Sequence, residues 1–148
     1  MDRLEASGWL IEYDRPATIA AFERTPRDGP ETCGCDSCRN WAESRDQLHT
    51  REFLALLHSL GIPCDHEREV YHNGRLESGL HCYGAWYNFV GRVLRGSRES
   101  APNLVFGALS VYFSTDLVLL PEAFEGQPVV QLEVGATVPW LTRIPESA

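Results

Sequence analysis

The alternation of apolar and polar positions changes character along the chain, and the change marks out the expected elements. Near the end, Val130, Leu132 and Val134 alternate with Gln131 and Glu133. This period of two predicts a half-exposed antiparallel strand. The stretch "FGALSVYFS" also reads as a strand. From about 37 to 60 the period is longer. Leu54, Leu57 and Leu60, with Phe53 and Leu56, recur every three or four residues and form a wide apolar helical stripe. The half before it is polar, with Trp41 and Leu48 as its apolar contacts. Asp36 or Ser37 is the expected helix cap, since a short polar side chain accepts a bond from an unpaired N–H of the first turn. Thr50 can cap a second helix, so two helices or one kinked helix both satisfy the pattern. Gly61 followed by Pro63 supplies the stop.

Beyond residue 66 the chain reads as β. "LHCYGAWYNFVGRVL" is apolar on both faces, with Tyr83, Tyr87 and Phe89 on one side and Cys82, Trp86 and Val90 on the other. It is the expected central strand. "EREVYH" leads to it through Asn73 and Gly74, a strong hairpin signal. At the N-terminus, "WLIEYDRPATIAAFER" is rich in β-branched and aromatic residues but interrupted by Pro16. Proline has no N–H for a ladder, which predicts two short strands or one broken edge strand. "TPRDGPE" is a turn cluster. Helices grouped early and strands running afterwards predict an α+β fold: one domain over 1–148, with an antiparallel sheet of about five strands packed by one or two helices.

Composition narrows the class. The 148 residues are 43% hydrophobic and 23% charged, as in ordinary globular chains large enough for a sizeable core. Thirteen basic against twenty-one acidic residues give a net charge of −8. That sign argues against nucleic acid or membrane partners and favours a basic protein partner. The N-terminus shows no basic start followed by an apolar run, and no apolar stretch approaches the roughly 20 residues of a membrane span. A cytoplasmic setting is expected. There the five cysteines point to reduced thiols or a metal site, and away from a disulfide framework.

Three of those cysteines form Cys33-x-Cys35-x-x-Cys38 just before the predicted helix. Thiolates bind zinc tetrahedrally, and a tight turn brings several to one ion. A thiolate at a helix N-terminus also feels the positive end of the dipole, which favours redox reactivity at Cys35 and Cys38. Small cysteines that only pack in a turn are the third alternative. Zinc needs a further ligand, and the candidates are Cys64, His66, His72, His81 and Cys82. On a regular strand His81 and Cys82 face opposite sides, so at most one of them faces the cysteine turn. A straight helix holds Cys64 and His66 about 35 Å away, whereas a two-helix hairpin readmits them. The expected metal set is Cys33, Cys35, Cys38 and His81.

Other chemistry is weaker. His72 and His81 lie near Glu67, Glu69 and Glu77 in sequence, but polar residues beside a turn are usually solvated. Tyr83, Trp86, Tyr87 and Phe89 read as core. Arg75, Arg92, Arg95 and Arg98 read as solvated. Phosphate-binding glycine loops, nucleophile elbows and H-E-x-x-H are absent from the sequence.

Together "CGCDSCRNW", "LGIPCDHEREVYHNG", "GLHCYGAWYNFVG" and "VPW" resemble a group of short uncharacterised bacterial proteins. That group carries C-x-C-x-x-C-x-N, an E-V-Y and a Y-G-x-W-Y-x-F-x-G segment. The resemblance spans about Phe22 to Trp140 and implies a free-standing bacterial domain with no assigned activity. The leading expectation is a non-enzymatic interaction module whose cysteine turn is structural, with or without a bound metal such as zinc. Its acidic surface suits a basic protein partner such as a toxin, an immunity-type role. The alternative is a small thiol-redox or metal-dependent enzyme using the same cysteines.

Overall fold

A computed structural model describes residues 1–27 and 30–142. In chain order its elements are strands β1 (Asp2–Ala6) and β2 (Trp9–Tyr13), helices α1 (Arg15–Glu23), α2 (Pro30–Cys33), α3 (Asp36–Leu48) and α4 (Arg51–Leu60), then strands β3 (Glu69–Arg75), β4 (His81–Arg95), β5 (Leu104–Phe106), β6 (Leu109–Ser114) and β7 (Val129–Val138). The α+β class and the antiparallel sheet are as expected. The described sheet has seven strands, in the order β1-β2-β4-β7-β6-β5 with β3 also on β4. It is packed by three helices of nine or more residues and the four-residue α2. The two strands beyond the expected five have a physical reason. β1, "DRLEA", is a polar edge strand with no buried position, and β5 is three residues long. Neither carries an alternation that a sequence pattern reveals. Among the described residues no helix is long and apolar enough to cross a membrane.

β4 is the axis. Over His81–Val90 it pairs with β7, its first half also pairs with β3, and its last residues pair with β2. One face, Tyr83, Ala85, Tyr87 and Phe89, is fully covered and joins Leu132, Val134, Val111 and Phe113 in the core. Against it lie Trp41 of α3 and Phe53, Leu56, Leu57 and Leu60 of α4. Leu54, expected on that stripe, is 40% exposed. The buried set repeats at three, one and three residues, and Leu54 falls one step off its centre.

Two local expectations are corrected. Pro16 does not break a strand. It occupies the first turn of α1, where its missing N–H has no partner to lose. Asp14 caps that helix by accepting from the Ala17 N–H at 3.0 Å. Asn73 and Gly74 do not form the hairpin turn either. They lie within β3 at a register shift, and the chain reverses afterwards, where the Leu76 N–H donates to the Leu80 carbonyl at 2.8 Å. Asp28 and Gly29 of the expected turn cluster lie outside the described residues.

Between α3 and α4 the chain breaks at His49 and Thr50, the two-helix alternative. Thr50 accepts from the Phe53 N–H at 3.1 Å, and Gly61 ends α4 at φ +83°. A Cβ on Gly61 would stand 2.9 Å from the Arg15 carbonyl oxygen, so α1 and α4 meet only over glycine.

His49 lies against the Phe53 ring, centroids 5.0 Å apart. Burial, followed by the charge of Arg45, pushes its imidazole down to about 4 from an ordinary value of 6.5. Between those values the unfolded chain binds a proton that the folded chain resists. This contribution is therefore complete above pH 6.5 and is lost as pH falls towards 4. Urea midpoints measured across that window should fall with acidification, and His49→Gln should flatten the fall.

Candidate metal centre at the start of a helix

The cysteine turn is built by the end of α2 and the start of α3. Gly34, at φ +71°, turns the chain between Cys33 and Cys35. Cys35 itself, not Asp36 or Ser37, is the helix cap: its backbone is extended and its Sγ accepts from the Cys38 N–H at 3.4 Å. A C-x-x-C spacing places the second cysteine three residues into the helix, where a capping side chain finds its donor. Asp36 lies in the first turn, where a negative charge suits the dipole.

The Sγ atoms of Cys33, Cys35 and Cys38 all lie within 4.8 Å of one another. Three thiolates at about 2.3 Å from one tetrahedral ion sit about 3.8 Å apart, so the group can bind a metal ion with small side-chain shifts. Cys33 and Cys35 are exposed and Cys38 is buried. Partial burial raises the Cys35 thiol, but hydrogen bonds from the Cys38 amide and the two neighbouring thiols outweigh it and leave the group below its ordinary value. Burial, then the bonds to Cys35 and Cys33, push Cys38 strongly up. Were an ion held by these three sulfurs, Cys35 would offer the readily ionised thiolate and Cys38 would have to give up its proton on binding.

Polar contacts bolt this turn to the sheet. The Tyr83 hydroxyl donates to the Ser37 carbonyl at 2.9 Å. Asn40, fully buried, accepts from the Leu141 and Thr142 amides at 2.6 and 3.2 Å and donates to the Pro139 carbonyl at 3.1 Å. One turn further on, the Trp41 indole N–H and the Arg45 guanidinium both donate to Glu67. Burial nevertheless keeps the Glu67 carboxyl above its ordinary value, against the pull of Arg45. Ser37 was expected as a helix cap and Asn40 only as the last position of the C-x-C-x-x-C-x-N pattern, so their anchoring role is new. The available signal was a polar residue on the same helical face as Trp41 and Ser44.

His81 is on the strand face that carries Tyr83, the side of the cysteine turn, yet it stands outside the group of sulfurs. Its Nδ1 lies 2.7 Å from the Nε2 of His72, and its ring centroid is 4.9 Å from that of Trp140. The two imidazoles share one hydrogen, and burial followed by the charge of His81 lowers His72. Cys82 points to the opposite face. Cys64 has its carbonyl on the Tyr87 hydroxyl at 2.7 Å, and His66 pairs with Asp65. None of these joins the sulfurs. Glu67 goes to Arg45 and Trp41 instead of forming an acid–base pair with either histidine.

Compared with known proteins, the chain matches no family model, no curated protein and no solved structure.

Two measurements check this geometry. Pulsed alkylation of metal-free protein at neutral pH, read by peptide mass spectrometry, should label Cys35 well before Cys38. Asn40→Ala should cost about 1–3 kcal/mol in chemical denaturation, because it strands buried amides and a carbonyl. It should also remove hydrogen-exchange protection at Leu141 and Thr142.

Proposed function

We propose that the chain is a non-enzymatic interaction module whose cysteine turn holds a structural zinc ion. The observation that carries this reading is the convergence of three sulfurs within 4.8 Å on a turn anchored through Ser37 and Asn40. Soft thiolates select zinc over the oxygen-seeking divalent ions. Among the described residues no fourth side chain joins the group, and on this reading a water molecule or a partner's side chain can complete it. The net charge of −8 supports a basic partner, and an immunity-type role fits that charge. The resemblance to the bacterial group with the same cysteine pattern agrees with a free-standing domain.

A second reading has its own support. An exposed Cys35 with a lowered pKa, three residues before a buried Cys38 with a raised one, is the asymmetry a dithiol reductant needs. The Cys35 thiolate would attack a substrate disulfide and release one substrate thiol. Cys38 would then close the Cys35–Cys38 bond and release the second.

Elemental analysis of untagged protein with a thiol count separates the two. About one zinc per chain, thiols protected until a chelator is added, and loss of metal in Cys38→Ser are the expected results. No metal and five freely reactive thiols would refute the zinc reading.

A further inference from the structure

The sheet face opposite the helices carries a second group of residues with no role in the cysteine turn. Its centre is Glu133 on β7, directly across from Trp86 on β4 and Tyr112 on β6. One step along, Gly84 faces Gly135, and the Tyr71 ring lies flat on Gly84. A Cβ there would stand 2.1 Å from the Tyr71 ring, so only glycine admits it. Tyr71 and Trp86 have ring centroids 5.9 Å apart. Three aromatic side chains thus surround one carboxylate.

This face already holds a cation from its own chain. Arg98, on a turn fastened by reciprocal Ser97–Ser100 hydrogen bonds, places its guanidinium carbon 4.5 Å from the Tyr112 ring centroid. The negative face of an aromatic ring attracts such a group, and a planar guanidinium stacks on it. Burial and then the Glu133 carboxylate hold both the Tyr71 and Tyr112 phenols up, with Arg98 opposing. Among the described residues the Tyr112 hydroxyl hydrogen-bonds the Glu133 carboxylate but Arg98 makes no ion pair with it, so the negative charge is left for a second cation. Arg98, Tyr112 and Glu133 stand between two depressions, a groove of about 630 Å³ on the Trp86 side and one of about 210 Å³ on the Tyr71 side. The Trp86 indole N–H is buried in the wall of the larger one and has no hydrogen-bond acceptor among the described residues. A buried donor without a partner costs free energy that an incoming acceptor recovers.

One ligand chemistry answers all of these features. A cation satisfies Glu133 and the rings, and a carbonyl close to it satisfies the indole. We propose that this face docks an arginine-bearing segment of a basic partner protein, its guanidinium on Glu133 between Tyr71 and Tyr112 and a backbone carbonyl on the Trp86 N–H. The assignment deepens the interaction reading above and rests on it for the partner being a protein. It does not depend on the zinc. Glu99 and Asp116 on the rim of the groove add charge of the right sign.

The test follows the indole N–H signals of the four tryptophans in ¹⁵N-labelled protein, with Trp86 assigned through Trp86→Phe. The probe is a capped Gly-Arg-Gly peptide. The Trp86 signal should move while those of Trp9 and Trp41 hold, which also reports that each variant is folded. Arg98→Ala should tighten binding about ten-fold by removing the internal competitor, and Glu133→Gln should weaken it at least ten-fold. The same peptide with citrulline, which is neutral and of the same shape, should not bind. The site is overturned if citrulline binds equally well or if Arg98→Ala gives no gain. The protein-segment assignment is overturned if guanidinium chloride alone binds as tightly as the peptide. Titrating before and after chelator treatment keeps the two proposals apart. A failed titration of zinc-loaded protein sinks the docking site alone, and peptide binding by a protein that never held zinc sinks the metal reading alone.

Discussion

The structure depends on a single fifteen-residue strand, β4, that is enclosed by different chemistry on its two faces. Strand geometry sends successive side chains to opposite sides, so one element serves two regions at once. Tyr83, Tyr87 and Phe89 hold the helices through burial, and the first two also donate hydrogen bonds to helix-side carbonyls. Gly84 and Trp86 form the floor and wall of the aromatic face. Pairing β4 on both edges satisfies its backbone, which lets so many large side chains be buried without stranding peptide groups.

The polar helix α3 shows how such a sheet recruits an element with little apolar surface of its own. Trp41 and Leu48 supply the hydrophobic contact. The rest comes from Asn40, Trp41 and Arg45 meeting the Pro139–Thr142 segment and Glu67. Each hydrogen bond adds only about 1 kcal/mol net, but leaving a buried partner unmade costs more than that. Such a network specifies position more than it adds stability. Position is what a metal site requires: sulfurs preorganised by a capped, anchored turn lose little further entropy on binding an ion.

Much of the architecture was legible from local pattern. The stripe Phe53, Leu56, Leu57 and Leu60, the Thr50 cap and the Gly61 stop depend on residues within a few positions of one another, and the helix they predict is present. The both-sided apolar run at 81–95 is the central strand for the same reason. Misread stretches had local signals with two physical meanings. Pro16 is as compatible with a first helical turn as with a broken strand, and the Asp14 cap decides between them. Asn73-Gly74 serves a bulge as well as a turn. For the candidate site, the three cysteines were evident from spacing. The anchors at Ser37 and Asn40 were not, because their partners lie 46 and about 100 residues away. The cap fell to Cys35 although Asp36 and Ser37 beside it offer the commoner capping side chains.

By itself the sequence determined which segments alternate with period two and which with period three to four, the acidic balance, and the clustering of Cys33, Cys35 and Cys38. These follow from the order of residues and need no long-range contact. Only the tertiary structure decided that Cys38 is the buried sulfur, that His81 turns to His72 and Trp140, and that Glu133 stands among Tyr71, Trp86 and Tyr112. The physical reason is common to all three. Burial, hydrogen-bond partner and electrostatic environment are set by neighbours across strands and between helix and sheet, and those neighbours are far apart along the chain.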